Sequence, residues 1–201
     1  MVIAFFILIF YTTVRIGFNS IWESISPIYS YLFELIFVGV VYWYYQNKKS
    51  IKLFQIENKN HTLLRLLPWP FIGYFIYRLA AHSTIIIPFE FKSATNIILL
   101  LVVAPILEEL IFRLALWEAV DEINQNKEVQ IWISSILFSI GHLISFYMLP
   151  PDYRPFVMYQ AVYVVILGIG ASKMRQESKG IIGSILVHFL FNFGFYLGSL
   201  V

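Results

Sequence analysis

The chain has 201 residues, 59% of them hydrophobic and only 13% charged, with a net charge of +2. Soluble domains average about 45–50% apolar and about 25% charged residues, so 14 basic and 12 acidic side chains are too few to coat a soluble globule of this size. The balance excludes a disordered chain, a collagen-like fibre and a nucleic-acid-binding module. It leaves a polytopic membrane protein. The absence of cysteine also excludes disulfides, a thiolate nucleophile and cysteine-ligated metal.

A transmembrane helix needs about 20 mostly apolar residues. Seven stretches supply or approach that length: 1–18, 27–45, 63–87, 95–117, 129–149, 155–172 and 181–201. The first lacks the basic start and small-residue cleavage site of a signal peptide and reads as a retained helix. Pro68, Pro70, Arg78 and His82 interrupt the third, and the sixth is short. The runs are too long for strands and do not alternate as barrel strands do. The expected fold is an all-α transmembrane bundle of about seven spans, forming one membrane domain over 1–201.

Basic residues in the connecting segments set orientation. Lys48, Lys49, Lys52, Lys59 and Arg65 fall between the second and third spans, Lys127 after the fourth, and Lys173, Arg175 and Lys179 after the sixth. With seven spans these nine share one side, against Lys92 and Arg154 on the other. The N-terminus is therefore expected in the cytoplasm and the C-terminus outside.

Ionisable groups within spans are expensive and mark function by default. Here they are Glu34, Arg78, His82, Glu108, Glu109, Arg113, His142 and His188, with the polar Asn192 beside them. In the fourth span, Glu109 and Arg113 are i and i+4, so they can pair along one face. Glu108 is turned about 100° away and stays available for chemistry. In the fifth span Phe138 and His142 share a face, with Gly141 permitting close approach. In the seventh, His188 and Asn192 project in one direction. Arg78 and His82, one turn apart, read as a buried structural pair.

Depth joins these patterns. At 1.5 Å rise per residue, Glu108, His142, His188 and Asn192 all lie roughly 10–20 Å from the cytoplasmic ends of their helices. One converging site, opening toward the cytoplasm, is the expectation. A carboxylate, two imidazoles and a carboxamide suit acyl-transfer hydrolysis without a covalent intermediate. Glu108 can take a proton from water that His142 helps to hold. Asn192 and His188 can donate to the developing oxyanion. Glu108, His142 and His188 could instead hold a divalent metal. The residues leave that choice open.

The patterns Glu-Glu-x-x-x-Arg, Phe-x-x-x-His and His-x-x-x-Asn, in this order on separate spans, resemble the CPBP intramembrane proteases, which include the CAAX prenyl endopeptidases and the bacterial Abi proteins. Glu108, Glu109, Arg113, Phe138, His142, His188 and Asn192 match every motif position. The resemblance covers about 95–201 as a catalytic core, with 1–91 as accessory spans. It implies that Glu108 and His142 activate water and that His188 and Asn192 form the oxyanion hole. Glu109 completes the catalytic set and, with Arg113, orders the site, with Phe138 in support. It leaves zinc or another divalent ion open as a cofactor. It further implies a membrane-associated, leader or prenylated-type peptide substrate, and residence in a bacterial cell membrane. The implied biological role is bacteriocin maturation or self-immunity.

Other intramembrane chemistries lack their residues: the chain has no His-Glu-x-x-His, no Gly-x-Ser-Gly and no Gly-x-Gly-Asp. Gly194 and Gly198 read as close packing within the bundle rather than as a dimer seam. Two rival functions use the same cluster: an ion- or proton-coupled transporter, and a catalytically silent immunity or scaffold protein.

Overall fold

The computed structural model describes residues 28–49, 55–57 and 59–201; the first expected span, 1–18, lies outside them. Among the described residues every regular element is helical. We number them α1 (Ile28–Lys49), α2 (Lys59–Leu66), α3 (Pro68–His82), α4 (a continuous helical run over 94–121), α5 (Lys127–Leu143, extended by the turn Ser145–Met148), α6 (Arg154–Ser178) and α7 (Ile182–Ser199). Among these residues three segments are long and apolar enough to cross a membrane, Lys127–Met148, Pro151–Ser178 and Ile182–Ser199. The run 94–121 is similarly long but carries Glu108, Glu109 and Arg113 at its middle.

Two expected spans differ from their sequence boundaries. The third divides into α2 and α3, and α3 ends at His82 rather than Ile87. Pro68 and Pro70 begin this helix instead of breaking it, because the first-turn N–H groups they lack have no intrahelical partner. Its 15 residues span about 22 Å, and Thr84, in the left-handed region at φ 56°, turns the chain away. The sixth, expected over 155–172, is instead the 25-residue α6. Its polar last turns stay helical because Ser172, Arg175 and Ser178 are buried against the bundle.

The α6 C-terminus shows how packing overrides a local preference. A glycine usually takes the left-handed position that closes a helix. Here Lys179 takes it, at φ 52°. Gly180 is needed one residue on, where any Cβ would collide with the carbonyl of Gln55.

Side-chain contacts give the helix directions. Ser139 donates to the Ala161 carbonyl and Ser184 to the Ala171 carbonyl, so α6 runs antiparallel to α5 and α7. These hydroxyls bond across helices where no water is at hand. Arg113 reaches Gly168 while Arg175 reaches Glu118, so α4 and α6 run the same way. One end of the bundle therefore gathers the 121–127 and 178–182 turns with residues 55–66. The other gathers 83–93, 144–153 and the C-terminus of α7.

The α3–α7 contact is backbone on backbone: a methyl on Gly73 would overlap the Phe191 carbonyl, and one on Gly194 the Pro70 carbonyl. Gly194 and Gly198 thus serve packing within the bundle, as their spacing suggests. Outward, three helices carry exposed apolar stripes at i, i+4 and i+8: Phe71, Phe75 and Leu79 on α3; Trp132, Ile136 and Ile140 on α5; Met158, Val162 and Ile166 on α6. Such faces suit lipid rather than water. Arg78 and His82, expected as a buried pair, are both exposed, because the opposite face of α3 is the one taken by α7.

Candidate active site

Helix α4 is the frame of the site, and it is irregular for a readable reason. It alternates between α and π geometry, with π segments at Leu99–Val103 and Leu110–Ala115. In the first, the Ala104 N–H bonds to the Leu99 carbonyl, five residues back. The same register would pair the Leu100 carbonyl with residue 105, which is a proline and has no N–H. That orphaned carbonyl accepts instead from the Asn192 amide of α7, at 2.9 Å. The proline of α4 thereby sets one hydrogen of the Asn192 amide, and the second remains for a ligand.

The second π segment frees carbonyls in the same way. Ser134 of α5 donates to the Phe112 carbonyl at 3.1 Å. Arg175 of α6 donates through Nε to the Arg113 carbonyl at 3.1 Å and through Nη2 to the Glu118 carboxylate at 3.2 Å. π turns are frequent at functional sites. Here two of them bracket Ala104–Glu109 and are tied to three neighbouring helices.

Within that bracket the two glutamates part company as their spacing requires. Glu109 is fully buried, with Oε2 3.3 Å from Nε of Arg113, itself fully buried. Arg113 also donates to the Gly168 carbonyl at 3.1 Å, and its guanidinium lies 4.4 Å from the centre of the Phe138 ring. A charge this deep needs such partners. Glu108 faces the other way, into a cavity of about 570 Å³.

The histidines meet Glu108 there. Its Oε2 lies 3.9 Å from Nε2 of His142 and 3.8 Å from Nε2 of His188. These distances are too long for direct hydrogen bonds, and the three atoms frame a space between them. On their far sides both rings are held through Nδ1: His142 against the Phe138 carbonyl at 2.9 Å, and His188 against Oε1 of Glu109 at 2.9 Å. Phe138 packs edge-on against both imidazoles. These contacts connect Glu108, Glu109, Arg113, Phe138, His142 and His188, and Asn192 lines the same cavity.

The donor set of Glu108, His142 and His188 fits a zinc-type ion in kind. Metal-bound histidines characteristically give their second nitrogen to a carbonyl or carboxylate, as these two do. Among the described residues no three such side chains stand close enough, as placed, to enclose an ion.

The cavity corrects one expectation. Its walls run from the Glu108 carboxylate past Leu100 and Ala104 of α4, Ser145 and Leu149 beyond α5, Phe156 of α6, and Pro88 and Phe89. These lie toward the 83–93 and 144–153 end. The opposite end, which carries most of the basic residues, holds ion pairs between Arg65 and Glu177, Lys179 and Glu57, and Lys127 and Asp121. The lining thus extends toward the end away from the basic segments, whereas depth along the helices suggested the basic end. Depth locates the polar groups but carries no information on which side of them the wall is open.

Spacing alone also missed Leu100, Pro105, Arg175 and Glu118. Pro105 in mid-span was the available signal for the first two. Arg175 and Glu118 read as loop charges, and only the length of α6 brings them inside.

A helical membrane bundle that gathers two carboxylates, two imidazoles, a guanidinium and a carboxamide around an internal cavity has the make-up of an intramembrane enzyme. Residues 90–194 match the family model of type II CAAX prenyl endopeptidase Rce1-like proteins, and the chain belongs to that family. The assignment agrees with the CPBP resemblance of its motifs and implies a CAAX-type intramembrane endopeptidase. No curated protein and no solved structure matches the chain.

Proposed function

We propose that the protein hydrolyses a peptide bond in a membrane-associated, leader or prenylated-type peptide, using water activated by Glu108 and His142. Bacteriocin maturation or self-immunity is the biological role we propose for it. The observation that carries the mechanism is the Glu108 carboxylate at the cavity wall, with Nε2 of both histidines 3.8–3.9 Å from one of its oxygens. Water seated against Oε2 and Nε2 of His142 gives its proton to Glu108, and the resulting hydroxide attacks the scissile carbonyl carbon. The oxyanion is received by the second N–H of Asn192 and by Nε2–H of His188, whose ring Glu109 orients through Nδ1. As the C–N bond breaks, Glu108 returns the proton to the leaving amine.

Zinc or a similar ion is a second route to the same hydrolysis. Glu108, His142 and His188 would hold it, and it would supply polarisation of the water. For topology we propose seven spans in a bacterial cell membrane, with the N-terminus in the cytoplasm. The test uses protein in liposomes with a quenched peptide library. Cleavage that is lost in Glu108→Gln, His142→Ala and His188→Ala supports the reading; cleavage surviving all three overturns it. Loss on chelation with recovery on added zinc selects the metal route, and indifference to chelator selects the metal-free one. Glu108-dependent ion flux without cleavage indicates a transporter instead.

A further inference from the structure

We propose that Gln160 of α6 is a substrate-binding residue, whose carboxamide holds the main chain of the peptide one or two residues from the scissile bond. The proposal rests on the proteolytic reading above and adds to it an anchor for the peptide backbone. From Pro155 to Ala171 the α6 sequence is apolar or aromatic except at Gln160. A carboxamide in such a stretch costs free energy unless it finds a hydrogen-bond partner. Gln160 lines the same cavity as Glu108, His142, His188 and Asn192, yet it takes no part in the water activation or the oxyanion hole described above.

Helix register places it beside that oxyanion hole. Ser184 of α7 donates to the Ala171 carbonyl of the antiparallel α6. Eight residues on from Ser184 is Asn192, and eight back from Ala171 is Tyr163, so these two stand level. The stacking of Tyr163 on Phe191, with ring centres 5.6 Å apart, agrees. Gln160 is three residues from Tyr163, about 4.5 Å along α6. The bond from Ser139 to the Ala161 carbonyl sets it level with Ile140, within one turn of His142. An extended peptide advances about 3.3–3.6 Å per residue. A scissile carbonyl beside Asn192 therefore brings a neighbouring peptide group to Gln160.

The chemistry matches. A peptide group carries one N–H and one C=O, and a carboxamide offers the complement of each. The turn of α6 that presents Gln160 is also held firmly. Tyr163, whose hydroxyl lies beside Gln160, packs on Phe191 and Phe195 of α7. Tyr159 donates to the Ile76 carbonyl of α3 at 2.8 Å. Such an anchor reads the main chain, so it selects an extended segment rather than a particular side chain.

The test uses protein in liposomes with cleavable peptides and their depsipeptide analogues, in which an ester replaces one amide at successive positions flanking the cleaved bond. Gln160→Leu should raise KM by about three- to tenfold, as expected for one hydrogen bond, with kcat nearly unchanged. In wild type, an ester one or two residues from the cleaved bond should raise KM by a similar factor, and in Gln160→Leu that penalty should vanish. Where Gln160→Leu fails to fold, Gln160→Asn, which keeps the amide but shortens its reach, carries the same expectation. An unchanged KM, or an ester penalty that persists undiminished, overturns the proposal. Equilibrium binding of dye-labelled library peptides to Glu108→Gln protein, with and without Gln160→Leu, needs no cleavage. Weaker binding in the double variant supports the anchor even if the wild type cleaves nothing, which separates the two failures. Equal binding, or no binding of any peptide, overturns it.

Discussion

Nδ1 of the His188 imidazole stands 2.9 Å from Oε1 of Glu109, joining the seventh expected span to the fourth. The other oxygen of the same carboxylate faces Arg113 at 3.3 Å. Glu109 thus serves two masters at once: it balances a buried guanidinium and orients a ring of the site. Breaking a buried pair from one side costs about 3–5 kcal/mol, because the remaining charge is stranded. Glu109→Gln should therefore lower the unfolding midpoint in detergent sharply. Adding Arg113→Met should recover much of that stability while leaving cleavage impaired, since His188 stays without its partner. A Glu109→Gln single variant as stable as wild type would refute this account of the pair.

Asn192 and Pro105 make a second linked pair. If Asn192 contributes to the oxyanion hole, Asn192→Ala should lower kcat by about 10²–10³ with little change in KM. Pro105→Ala restores an N–H opposite the Leu100 carbonyl and so competes with the Asn192 amide for it. One hydrogen bond contributes about 0.5–1.5 kcal/mol, so kcat should fall by up to about tenfold. Stability should hold or rise, because a helix-interior proline has been removed. A drop in stability for Pro105→Ala would count against the orphaned-carbonyl explanation of the π turn.

The same contrast shows what was legible in the chain and what was not. Glu109 and Arg113, or His188 and Asn192, lie one turn apart on a single helix, and helical geometry alone puts each pair on one face. Their convergence on one site was legible from depth, because antiparallel spans share a common frame. The hydrogen bond from Asn192 to Leu100 was not, because it depends on a π register that residue spacing at 3.6 per turn does not express. The position of Arg175 was hidden because polarity usually ends a span. In α6 the helix continues past that point, since the Arg113 carbonyl and Glu118 supply the partners an arginine needs. The exposure of Arg78 and His82 was equally hidden, as it depends on which face of α3 the glycines of α7 select.

Arg175 should act as a positioning residue. It touches neither Glu108 nor the histidines, yet it holds the main chain of Arg113 and the carboxylate of Glu118. Arg175→Met removes both bonds, so stability should fall by about 1–3 kcal/mol. In the fraction that folds, kcat should fall while KM is retained, because the carboxylates shift and the cavity does not. Arg175→Lys should recover stability more than kcat, since an ammonium does not reproduce the fork that reaches both acceptors. Equal losses in kcat for the two variants at equal stability would argue against positioning.

Gly194 and Gly141 separate packing from substrate access. At Gly194 any Cβ meets the Pro70 backbone carbonyl, which cannot swing aside as a side chain end can. Gly194→Ala should therefore force α3 and α7 apart, costing about 1–3 kcal/mol through overpacking. At Gly141 an added Cβ would lie 3.4 Å from Cζ of Phe112, an ordinary contact. Gly141 lines the cavity beside His142. Gly141→Ala should leave the unfolding midpoint nearly unchanged and act on KM, because the methyl narrows the space the peptide enters. Gly194→Ala should lower the midpoint whether or not a substrate is present. Thermal unfolding in detergent, paired with steady-state cleavage, reads both effects. A stable Gly194→Ala together with an unstable Gly141→Ala would reverse the roles assigned to the two positions.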